Sequence, residues 1–140
     1  DGLGFIEAIK YCGIEINDSV LKMKGGGSTA RSIAYQWSKY GGKLIIERGR
    51  RDIGNGPWEK SITKGFDPDL SINFDILPGV KIDKNMIPEK HYVISYDENY
   101  NNDDFAIIML VAQHLEAWKI MVSDDFKERL PSIKQVLSKL

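Results

Sequence analysis

The stretch YNNDDFAIIMLVAQHLEAWKIMVSDD, Tyr100 to Asp125, places two aspartate pairs, Asp103-Asp104 and Asp124-Asp125, at the ends of one of the most apolar runs in the chain. How it folds decides the architecture. YVISYDE at 92–98 has strand character, DDFAIIMLVAQHL at 103–115 helical character and WKIMVSDD at 118–125 strand character again. A final helix is expected over 126–140, with Pro131 near its first turns, where proline costs least. Strands alternating with helices through short links predict an α/β domain whose sheet is mostly parallel, with right-handed crossovers.

Towards the amino terminus, Phe5, Ile6, Ala8, Ile9 and Cys12 recur at helical spacing and Gly13 offers a stop, which predicts a helix over 5–16. NDSVLKMK at 17–24 is ambiguous. GGGS at 25–28 reads as a flexible turn, and Ser28 or Thr29 is expected to cap a helix carrying Ile33, Ala34, Trp37 and Tyr40 on one face, ended by Gly41-Gly42. KLIIE at 43–47 is expected to form a buried strand following a crossover. From 49 to about 90 the text is irregular, with a weak strand expected over 70–76.

The 140 residues, 42% hydrophobic and 28% charged, suit a single domain over 1–140. A net charge of −1 gives no general attraction for polyanions, so any nucleic-acid contact has to come from local basic clusters. Cys12 is the single cysteine, which excludes an internal disulfide, and His91 and His114 are the only imidazoles, so zinc-ligand spacing is absent. These features fit a reducing intracellular compartment, cytoplasm or nucleus. No apolar segment reaches the ~18 residues that span a bilayer. The chain opens on Asp1-Gly2 without Met, from which an upstream segment is expected.

In the expected layout, Asp97 and Glu98 end one strand, Asp103 and Asp104 open the next helix, Asp124 and Asp125 end the following strand, and Glu128 lies one turn on. All would gather on the carboxyl edge of the sheet, where ligands of open α/β sheets bind. Clustered carboxylates repel one another unless a cation neutralises them, and a small set of hard oxygen ligands suits Mg²⁺ or Mn²⁺. Such an ion activates water for phosphodiester cleavage. The structural reading beside it is that Asp103 and Asp104 complement a helix dipole and Asp124 caps a helix.

NNDDFAIIMLVAQHLEAWKIMVSDDFKERL, Asn101 to Leu130, with D-G-L-G-F at the start, resembles the NYN/PIN-like metal-dependent ribonucleases, such as the protein-only RNase P and CCCH-finger mRNA-decay nucleases. The resemblance implies a PIN-like three-layer fold, RNA as substrate, and Asp1, Asp103, Asp104 and Asp125 as catalytic metal ligands. Ser123-Asp124-Asp125 stands where the family has S/T-N-D. Taking Asp124 as the equivalent restores the spacing to Glu128, so Asp124 is a further metal candidate and both registers stay open. The alternative is an inactive PIN-like module that binds RNA or a protein partner within a larger assembly. A third option is a different metallonuclease built on Asp69.

Lys43, Arg48, Arg50 and Arg51 are expected to surround the exit of the KLIIE strand near the same rim and are the candidate RNA-phosphate contacts, with Lys22 and Lys24 a weaker second set. GGGS lacks the G-K-S/T of a P-loop and follows no recognised strand, so it is read as linker or turn. Trp58 is a base-stacking candidate or a core plug, and Trp37 and Trp118 are expected to pack. Neither histidine has a visible nucleophile partner.

Overall fold

The computed structural model describes residues 1–75, 91–93 and 104–140. It is mixed α/β: a four-stranded parallel sheet carries helices packed against it. The first helix, α1, spans Gly2–Tyr11 and buries Phe5, Ile6, Ala8 and Ile9. It ends where Gly13 takes φ 74°, its N–H donating to Lys10 O and that of Ile14 to Ile9 O. Helix α2, Ser28–Lys39, ends the same way: Gly41 at φ 83° donates to Ser38 O and Gly42 to Trp37 O. Both are left-handed glycine caps that satisfy the last carbonyls of a helix, so the two sequence stops hold.

Strands β1 (Val20–Lys24), β2 (Lys43–Glu47), β3 (Leu70–Asn73) and β4 (His91–Val93) lie in the order β2-β1-β3-β4. The register aligns Leu21 with Leu44 and Leu70, and Met23 with Ile46 and Ile72. These rows face the helices, and all but the half-buried Ile46 are buried. Lys22 and Lys24 alternate to the other face and stay partly exposed. After β2 the chain makes a 3₁₀ turn at Glu59–Ser61 and returns along the outer side of the strand, where Ile62 bridges Leu44 and Thr63 N–H donates to Leu44 O at 2.8 Å. Ile53 and Trp58 from this loop enter the core.

The carboxyl-terminal third departs from expectation. WKIMVSDD is not a strand: helix α3 runs Phe105–Met121 without interruption. Ile120 and Val122 lend this segment β character, but Leu115-Glu116-Ala117 are strong helix formers, no Gly or Pro interrupts them, and Glu116 and Lys119 pair one turn apart. The expected terminal helix is divided into α4 (Asp124–Lys127) and α5 (Ile133–Leu137). Pro131 cannot continue a helix, and Ser132 starts a new one with a capping box to Gln135. β3 and β4 match the expected strands in part; residues 76 and 94–98 lie outside the described residues. Helix α1 packs on both α2 and α3, with the Phe5 ring 6.0 Å from Trp37 and 5.7 Å from Phe105.

Candidate functional site

Four parallel strands put four carboxyl ends on one edge of the sheet. β1 leaves through Gly25-Gly26-Gly27, and α2 starts at once at Ser28. The turn therefore reads Gly25-x-Gly27-x-x-Ala30 between a strand and a helix. A side chain on Gly26 would collide with the backbone of Asp52 and Ile53, whereas one on Gly27 would meet nothing within 4 Å. The side-chain-free space at Gly27 faces outward. Ala30 is fully buried, letting α2 lie close on the sheet. The helix start has no side-chain cap and no acid in its first turn. Its ladder begins with Arg31 N–H donating to Gly27 O at 3.0 Å, which leaves the preceding amides outside the ladder. Thr29, expected as a cap, instead donates its hydroxyl to Asp1 Oδ2 at 2.8 Å.

Beside this turn, β2 ends in Glu47 and is followed by Arg48, Arg50 and Arg51. Glu47 is held by Lys22 at 3.1 Å and Lys24 at 3.4 Å, and the Lys22 contact foremost keeps its carboxyl below the ordinary glutamate range. Arg50 donates its N–H to Asp75 Oδ2 at 2.7 Å, and its Nε lies 3.6 Å from Asp75 Oδ1. Arg31, in the first turns of α2, reaches Asp52 O at 3.4 Å. Arg48 and Arg51 make no ion pair among the described residues.

The acids named from the sequence do not all meet. Asp1 immediately precedes α1 beside α2, where Gly2 N–H donates to Ser32 Oγ at 3.0 Å, and Asp104 immediately precedes α3, neither side chain making a capping bond. The Phe5 and Phe105 rings meet, while Gly4 packs on Gln113 in the middle of α3. Asp124 and Asp125 stand beyond the other end of α3, and 17 helical residues span roughly 26 Å. Their expected place on a strand end goes with the strand itself. Both are exposed, and Lys127, 2.6 Å from Asp124, lowers the Asp124 pKa. Asp97, Glu98 and Asp103 lie outside the described residues. Among the described residues no three His, Cys, Asp or Glu side chains are grouped to hold a metal ion.

Of the basic set, Arg48, Arg50 and Arg51 follow the carboxyl end of β2, but Lys43 begins the strand and lies at the opposite edge, 3.5 Å from Asp18. Asp69 is also on that edge, accepting from Val20 N–H at 2.7 Å. Lys22 and Lys24 are engaged with Glu47. Trp58 is a core residue, and so is Trp37, whose Nε1–H donates to Lys43 O at 2.9 Å; Trp118 is exposed instead. His114 lies in the middle of α3 rather than near a helix end, its Nδ1 2.8 Å from Leu110 O.

Reading the sequence alone missed β1, and with it the standing of the glycines. The signal was present: Leu21 and Met23 alternate with Lys22 and Lys24 immediately before Gly25. Comparison with protein-family models, with curated proteins and with solved structures gave no match.

Proposed function

We propose that this chain binds a 2′-phosphorylated nicotinamide dinucleotide across the carboxyl edge of its sheet, as part of a hydride-transfer enzyme. The observation that carries the reading is the Gly25-x-Gly27-x-x-Ala30 turn, set between β1 and the uncapped start of α2. In dinucleotide-binding α/β sheets such a turn uses its glycines for a tight bend and for close approach of the pyrophosphate, and its third small residue for helix–strand packing. The free amides and positive end of α2 suit a diphosphate. The strand order supports the same place, because the chain goes from β1 to β2 on one side and to β3 on the other. That reversal between β1 and β3 is where open sheets leave a crevice.

The end of β2 bears on which dinucleotide. An acid there that is free to bond a ribose diol favours the unphosphorylated form, whereas arginines accommodate a 2′-phosphate. Here the acid, Glu47, is engaged by two lysines, and arginines follow at 48, 50 and 51. Planar guanidinium groups match phosphate oxygens in pairs. When bound, the nicotinamide would supply hydride chemistry; the chain's own residues hold its phosphates and orient it. Fluorescence titration with NADPH and NADH tests the reading. NADPH is expected to bind more tightly, and replacing Arg48 and Arg51 with Ala should weaken it by about tenfold per lost phosphate contact while NADH changes little. Binding of neither cofactor sinks the proposal.

A metal-dependent ribonuclease is the second reading, favoured by one contact: Phe5, in the first turns of the helix that Asp1 precedes, packs on Phe105, which follows Asp104. It would use Mg²⁺ or Mn²⁺ on Asp1, Asp103 and Asp104; its inactive form would bind RNA or a protein partner only. RNA cleavage in Mn²⁺ by wild type and by Asp104→Asn separates these readings, and cutting that survives the substitution removes this site from the chemistry.

A further inference from the structure

Asp75 lies two residues beyond β3, yet its carboxylate contacts the loop after β2, two strands away. To do so it crosses the exit of β1. A side chain on Gly25 would lie 3.3 Å from Asp75 Oδ1, and one on Gly49 would run into Oδ2. The carboxylate is wedged between the first glycine of the β1–α2 turn and the glycine inside the arginine loop. Oδ2 accepts the Arg50 N–H at 2.7 Å, and Oδ1 faces Arg50 Nε at 3.6 Å. Its own position is set from behind: Asp75 N–H donates to Asn73 Oδ1 at 2.9 Å, and Phe74 N–H to Lys24 O at 3.0 Å. The Asp75 side chain is 18% exposed but that of Arg50 is 67% exposed, so the amide bond rather than the ion pair carries the hold.

We propose that Asp75 is a positioning residue for this edge, latching the arginine loop to the glycine turn and so setting the spacing between the two places that receive a dinucleotide's phosphates. The inference rests on the dinucleotide reading for its ligand, but the latch itself stands on the contacts above. A carboxylate beside a phosphate site is an electrostatic burden on the ligand, and here the guanidinium of Arg50 offsets it. What the latch contributes is geometry. Besides it, the described residues hold this loop at the sheet edge through the Arg31–Asp52 contact and through the Asp52–Ile53 backbone packed beside Gly26.

Two substitutions separate geometry from charge. Asp75→Asn keeps an acceptor oxygen of the same shape for the Arg50 amide; Asp75→Ala removes it. Limited trypsin digestion with mass mapping reads the loop directly, because cleavage after Arg48, Arg50 or Arg51 requires it to open. Asp75→Ala is expected to be cut there about tenfold faster than wild type and to bind NADPH about tenfold more weakly, with Asp75→Asn close to wild type in both. Unchanged cleavage of Asp75→Ala overturns the latch, and tighter NADPH binding by either variant shows the carboxylate to be a repulsive charge instead. If wild type binds neither dinucleotide while Asp75→Ala still opens to trypsin, the latch stands and the dinucleotide reading falls.

Discussion

Gly26 and Gly27 are neighbours that lack side chains for opposite reasons. The backbone of Asp52 and Ile53 occupies the space beside Gly26, whereas the space beside Gly27 is open. Gly26→Ala is therefore expected to cost about 2 kcal/mol or more, through displacement of the 52–53 backbone. Gly27→Ala should cost under about 1 kcal/mol at a position that already lacks a cap, yet it should impair dinucleotide binding strongly. Chemical denaturation paired with NADPH titration checks both; a Gly27→Ala protein with unimpaired binding would remove the turn from the site. Glu47 offers a pH test. Its folded pKa is depressed by Lys22 and then Lys24, so its contribution is present above the ordinary glutamate range and is lost as pH falls through the folded value. Because the pair is nearly half exposed, Glu47→Gln should cost only a few tenths of a kcal/mol near neutrality. That difference should close in denaturation curves taken below the glutamate range.

Among the elements, α3 decides most. As a helix it carries Asp104 away from Asp124 and Asp125; as helix then strand it would have brought them towards one edge. Ala117→Pro tests the assignment, since proline inside a helix costs about 3 kcal/mol or more; near-native thermal stability of that variant would contradict a continuous helix. Ser132→Ala should cost about 1 kcal/mol by removing the capping box that restarts the chain after Pro131. The legible elements were those whose signals are local: the glycine-terminated α1 and α2, the apolar strand KLIIE, and the apolar start of α3. The illegible ones had competing local signals. Lysines interrupt β1, and Ile120 and Val122 at the end of α3 imitate a strand although the helix formers before them carry the helix on to Met121.

For the whole molecule, the carboxyl edge gathers the glycine turn, the arginine loop and Asp75, contributed by segments after three different strands. At the other end of α3, Trp118, Ile120, Met121 and Phe126 are each exposed. Large apolar side chains left exposed at one helix end promote association, so sedimentation velocity should show concentration-dependent self-association that Ile120→Lys with Met121→Lys reduces. An unchanged distribution would show these side chains to be inert. By itself the sequence determined the α/β class, the two glycine caps, the strand at 43–47 and the clustering of arginines just after it. Each depends on residues within a turn or a strand of one another. Only the tertiary structure decided that the ambiguous 17–24 segment holds the strand beside β2, that the three glycines leave it at the sheet's carboxyl edge, and that Asp104 lies apart from Asp124 and Asp125. Those outcomes depend on which strands become neighbours and where a helix stops, and the burial of Leu21, Met23 and Ile72 in one core settles the first in a way that no window of adjacent residues can express.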